Sequence, residues 1–135
     1  MFGFFKDRKK SKKELTEREV RWNKMWDLWV EGEIPSPYNE LMSYQSEVNN
    51  GGHDQYFLNT GNISDVDQTL SVLSEILPMK LKENLYTAYN AYLCLEKDED
   101  DEKAQGVIES CDELFMQNEQ EVTDILEEYC ENADL

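Results

Sequence analysis

Apolar residues recur at helical spacing along most of the chain, and the interruptions between them mark out a series of helices. Thr16 and Glu19 fit a capping box, with Leu15 and Val20 where a hydrophobic staple belongs, so a first helix starts there. Trp22, Trp26 and Trp29 follow at i, i+4 and i+7 and read as a core stripe. Gly32 and Pro35 end that helix. Ser36 as N-cap and Pro37 at the first helical position open a second, with Leu41, Tyr44 and Val48 inward. It stops at Asn49-Asn50-Gly51-Gly52, and a short helix from His53 to about Asn59 closes at Gly61.

Ser64 with Asp67 opens a fourth helix carrying Val66, Leu70, Leu73 and Leu77, which Pro78 interrupts. A fifth runs from about Met79 to Leu95 with Leu81, Leu85, Ala88, Tyr89, Tyr92 and Leu93 inward. Residues 96–102 form an acidic linker. A weaker helical stretch passes through Val107, Ile108, Leu114 and Phe115. A last helix, about Glu119 to Asn132, buries Val122, Ile125, Leu126 and Tyr129. No segment alternates as a strand, and none repeats. The expectation is an all-α, compact bundle of about six or seven helices with short loops. Residues 15–135 make a single domain, preceded by a flexible basic tail at residues 1–14.

Composition fits one modest core: 135 residues, 39% hydrophobic and 11% aromatic, with only six Gly and three Pro to mark turns. Charge changes the picture more. Thirty acids face thirteen bases, a net of −17. Residues 1–24 carry nine bases and four acids, a net of +5, whereas residues 25–135 carry four bases and twenty-six acids, a net of −22. Solubility alone needs a net charge of only about 2–8 in magnitude, and the excess repels the folded chain from itself. Such a body repels nucleic acid and attracts basic partners.

Cys94, Cys111 and Cys130 cannot all pair within one chain, and without a CxxC or a second histidine no zinc site is indicated. Free thiols point to a reducing, cytoplasmic setting. No apolar run reaches membrane-spanning length. Asp98-Glu-Asp-Asp-Glu102 cannot be laid on an EF-hand loop. His53 is the sole histidine and sits in a glycine turn; Gly51-Gly52 lacks the lysine and spacing of a phosphate loop. No catalytic residues, metal or cofactor are expected, and a binding role is favoured over an enzyme.

The most distinctive segment runs from Glu47 to Gly61. Its double glycine permits a tight helix-to-helix turn, the amides of Asn50, Gln55 and Asn59 can satisfy backbone groups left open at the helix ends, and Tyr56 and Phe57 can pin the turn to the core. Only His53 is left without a role. The spacing of Asn50, Gly51, Gly52, Gln55, Tyr56, Phe57, Asn59 and Gly61 resembles a signature of the DNA-mimic protein family, small bacterial all-helical domains. Cys111-Asp-Glu-Leu-Phe115 and Ile125-Leu-Glu-Glu-Tyr129 are similar to that family's C-terminal end. The resemblance covers roughly residues 38–132. It implies a helical fold, a possible homodimer, and carboxylates that imitate duplex phosphates and occupy the DNA-binding face of a transcription factor.

On the last helix Glu121, Asp124, Glu128 and Glu131 keep helical spacing opposite the apolar stripe, and Glu109, Asp112 and Glu113 lie nearby in sequence. These seven are the candidate acidic interaction face. The expected function is an acidic protein-interaction domain gripping a basic DNA-binding regulator. One alternative is an immunity-type protein that neutralises a basic toxin or nuclease. Another is a membrane-surface adaptor, in which Phe2, Phe4 and Phe5 beside Lys6, Arg8, Lys9, Lys10, Lys12, Lys13 and Arg18 touch an anionic bilayer. That tail could also fold back on the acidic body and compete with a basic partner.

Overall fold

A computed structural model of the chain describes residues 15–135. The basic tail expected over residues 1–14 lies outside the described residues. Five helices follow one another: α1 (Glu17–Val30), α2 (Tyr38–Ile63), α3 (Val66–Ser74), α4 (Met79–Lys97) and α5 (Glu102–Asn132). No strand occurs among the described residues. The all-helical class follows directly from the 3.6-residue periodicity.

Among the described residues there are five helices where six or seven were expected, one of them made of two helical halves joined at a kink. The weaker stretch and the last helix are one continuous α5 of 31 residues. Between Phe115 and Glu121 no Gly or Pro breaks the backbone, and the Asn118 amide bonds back one turn to the Leu114 carbonyl (2.8 Å) within the helix. The second and short helices run into one another as α2, kinked at Gly51 (φ −151°, ψ 15°) and Gly52 (φ 79°, ψ −179°). The helix then passes through Gly61 to Ile63, so Gly61 does not close it.

Helix starts follow sequence chemistry closely. Thr16 accepts the Glu19 amide (3.1 Å), and the Glu19 carboxylate accepts the Thr16 amide (3.0 Å), which is the expected capping box. These hydrogen bonds hold the Glu19 carboxyl below its ordinary range. The staple does not form: Leu15 and Val20 are both exposed. Asp65, rather than Ser64, caps α3 through the Gln68 amide, and Asp101 caps α5 through the Ala104 amide. At α2 the helix begins at Tyr38, one residue past Pro37, and the Ser36 hydroxyl donates to Glu40 (3.0 Å) instead of capping.

The four-residue link 98–101 folds α4 back along α5, and these two helices share the most extensive interface. α2 packs on α5 from the other side, and α3 fills between α2 and α4. Tyr44, Tyr56, Phe57, Leu70, Leu81, Phe115, Val122 and Leu126 form the core, each at most 1% exposed. A smaller cluster of Ala91, Ala104 and Ile108 sits near the α4–α5 turn. α1 lies on the outside against α5. Its buried residue is Met25; the three tryptophans are only half-buried, stacking edge to face along the helix with centroids 6.4 and 5.3 Å apart. The expected core stripe is therefore a rim that packs on the core.

Candidate functional site: the glycine kink and the acidic ridge of α5

At the kink, a left-handed Gly52 lets the chain turn sharply and brings the His53 amide and ring onto α5. The Asp112 carboxylate accepts both the His53 backbone N–H (2.8 Å) and the ring Nδ1 (2.6 Å). The other ring nitrogen, Nε2, lies 2.7 Å from the Tyr44 hydroxyl. With Nδ1–H donating to Asp112, Nε2 is left to accept from Tyr44, and every polar atom of a wholly buried imidazole is satisfied. A Cβ at Gly52 would come within 2.5 Å of Asp112 Oδ2, so the glycine is required by space as well as by φ.

This hydroxyl–imidazole–carboxylate chain has hydrogen-bond lengths suited to a catalytic relay, but its surroundings make it a clamp. Tyr44 and His53 are both 0% exposed, and burial pushes the Tyr44 phenol well above its ordinary value. Burial likewise raises the Cys111 and Cys130 thiols, which keeps both away from the nucleophilic thiolate form. Among the described residues no group of three or more His, Cys, Asp or Glu side chains is placed to hold a metal ion.

Around the kink, amides hold carboxylates. Gln55 and Asn59 donate to opposite oxygens of Glu47 (3.2 and 2.7 Å), rather than to the helix-end backbone. Asn49 and Gln45 donate to one oxygen of Glu119 (2.6 and 3.0 Å), tying α2 to α5. Asn50, expected to serve a helix end, is exposed and makes no side-chain hydrogen bond among the described residues. Because the donors are neutral, these carboxylates are oriented without losing their charge. Tyr56 and Phe57 are each 1% exposed, anchoring the segment in the core.

Of the seven acids expected on the interaction face, Glu109, Glu113, Glu121, Asp124, Glu128 and Glu131 are exposed. At about 100° per residue they fall within an arc of roughly 120° centred opposite the buried stripe of Cys111, Phe115, Val122 and Leu126. The seventh, Asp112, lies on the buried edge and is turned inward to His53. Sequence reading missed that role, since Tyr44, His53 and Asp112 carry no local spacing that links them. It also missed Glu47 and Glu119, for which the amide-rich segment was the available signal.

α5 carries ten acids and one lysine, Lys103. Over its length of about 46 Å this is one net charge per about 5 Å. Duplex DNA has one per about 1.7 Å, so α5 alone is a sparser polyanion. Apart from the His53–Asp112 pair, the ion pairs among the described residues are those of Arg18 with Glu131 (2.8 Å) and Glu127 (3.8 Å). The described residues hold seven bases and twenty-eight acids, and among them only Arg18 lies within ion-pair distance of the exposed acids of the ridge. No described helix is long and apolar enough to cross a membrane.

No curated protein and no solved structure matches the chain. A family model described as DMP19-like protein does match, over residues 38–133. That finding corrects the resemblance drawn from the sequence, because it supports neither a DNA-mimic family nor the glycine-centred signature assigned to one. The physical reason lies in the segment itself: Gly52, Gln55, Tyr56, Phe57 and Asn59 each do local structural work at a helix kink, so their spacing describes a kink before it describes a lineage. By the match over α2 to α5, the chain belongs to the DMP19-like protein family.

Proposed function

We propose that this protein is an acidic interaction domain, not an enzyme, whose α5 ridge grips a basic protein, with a DNA-binding regulator as the leading partner class. The observation that carries this reading is the set of six exposed carboxylates on one side of a single rigid helix, with Lys103 the one base on that helix. Charges of one sign arrayed on a regular element raise the local concentration of a cationic partner and accelerate its docking. A helix frame also fixes their spacing, so a matching row of Lys or Arg is selected over a merely cationic surface. The sparse charge per unit length favours partners with a few well-placed cations.

The test uses the native chain and a ridge variant, Glu109→Gln/Glu113→Gln/Glu121→Gln/Asp124→Asn/Glu128→Gln, each immobilised and exposed to lysate of the native cell at low salt. The expected result is a basic protein held by the native chain, lost from the variant, and released by a salt gradient. Equal capture by both would overturn the assignment to α5. A captured nuclease or toxin whose activity is blocked would favour the neutralising class of partner over a regulator.

A further inference from the structure

Among the described residues, α5 carboxylates meet a guanidinium group at α1. Arg18 reaches Glu131 and Glu127. Arg21, one turn on, donates from Nη2 to the Cys130 and Ala133 carbonyls (2.8 and 2.5 Å) at the C-terminal end of α5, where unpaired carbonyls and the helix dipole favour a cation. The attachment is shallow. Residues 15–20, 23 and 24 are exposed, Arg21 and Trp22 are half-buried, and Met25 is the first residue of α1 to be buried. Between this part of α1 and α5 runs an open groove of about 610 Å³, lined by Leu15, Arg18, Trp22, Thr123, Glu127 and Glu131 among others. α1 also lies outside residues 38–133, the part that matches the family.

We propose that the first two turns of α1 are an intramolecular placeholder: Arg18 and Arg21 occupy on α5 the positions that a helix of the basic partner takes, with arginines one turn apart and an aromatic side chain beside them. This rests on the function proposed above and names both the partner segment and the control of access. Charge complementarity identifies the occupant. With the first turns of α1 lifted, the α5 side of the groove offers the Glu127 and Glu131 carboxylates and the Cys130 and Ala133 carbonyls, which suits an arginine-bearing helix that repeats the spacing of Arg18 and Arg21 and leaves an anionic or purely apolar one unpaired. Met25 anchors the second half of α1, so the first half can lift without the rest.

Nona-arginine serves as the probe, titrated at low salt into the native full chain, into Arg18→Gln/Arg21→Gln, and into Lys80→Gln/Lys82→Gln, which removes the same charge elsewhere. The expected result is affinity about fivefold higher in the arginine variant, on the scale of an exposed ion pair, and little change in the lysine variant. In the native chain the Trp22 indole N–H signal should shift on binding, while that of Trp29, bonded to Ser43, stays. Arg18→Gln alone gives a smaller gain in the same direction and guards against loss of the α5 end in the double variant. Equal gains in the arginine and lysine variants, or no gain while the native chain still binds, would overturn the placeholder and leave the ridge intact. If no variant binds the probe, the functional reading itself fails.

Discussion

Gly52 is the residue on which the kink turns. With φ at 79° and Asp112 Oδ2 within 2.5 Å of any added Cβ, Gly52→Ala should destabilise the fold by about 2 kcal/mol or more, measured by urea denaturation. Gly51 is the internal control. Its φ of −151° is negative, so no left-handed conformation is at stake, and the closest atoms an added Cβ meets are the amide end of the Gln55 side chain, which can rotate away, with Gln55 Cβ behind them at 2.9 Å. Gly51→Ala should therefore cost less than Gly52→Ala, through a small shift at Gln55 and no left-handed strain, and equal losses would contradict the account. Asp112→Ala should cost about 3 kcal/mol, because it strands two N–H donors of a buried residue. The buried phenols set an alkaline limit. Burial raises the ionisation of Tyr44 and Tyr56 above the ordinary value of 10.0, so their stabilisation is complete below pH 10 and declines as pH rises beyond it. Tyr44→Phe should weaken that decline in a pH series of denaturation midpoints. Little of this clamp was legible beforehand: the double glycine announced a turn, but the meaning of His53 depended on Asp112, 59 residues away.

Helices were the legible scale. The cap at Thr16, proline at the start of α2 and α4, and apolar spacing place the starts of α1 to α4 to within a few residues, whereas Asp101, read only as part of an acidic linker, caps α5. The errors share one cause, since periodicity reports a helical face and says little about continuity. α5 looked like two helices because its apolar stripe thins around Met116 and Gln117, both exposed, yet nothing in its backbone chemistry stops it there. Gln117→Gly measures this directly. A continuous helix loses about 1 kcal/mol, whereas a loop at this point would be nearly indifferent. The tryptophan stripe erred in the opposite way, because three aromatics on one face suggest a core even where the helix lies on the outside of the bundle and leaves them half-buried.

At the scale of the whole molecule, the imbalance of charge was plain from composition, and its arrangement was not. Glu121, Asp124, Glu128 and Glu131, expected on the last helix, and Glu109 and Glu113, expected only nearby in sequence, all project from α5 on the side away from the core, while Asp112 serves the clamp. The same surplus of carboxylates opposes compaction, so the native chain should gain stability as salt screens it, by contrast with its proposed complex, which should weaken. Thermal midpoints between low and physiological salt follow the first effect; a midpoint that falls over that range would contradict the picture of an unpaired acidic surface.

The central claim is that α5 presents its carboxylates as one electrostatic handle for a basic protein. Its most direct measurement is the affinity of the captured partner for the native chain and for the neutralised ridge variant, each across a range of salt. The account predicts steep weakening of the native complex as exposed charges become screened beyond about 8 Å near physiological ionic strength, and a weak, flat response for the variant. A native complex indifferent to salt, or a variant that binds equally well with the same slope, would contradict it.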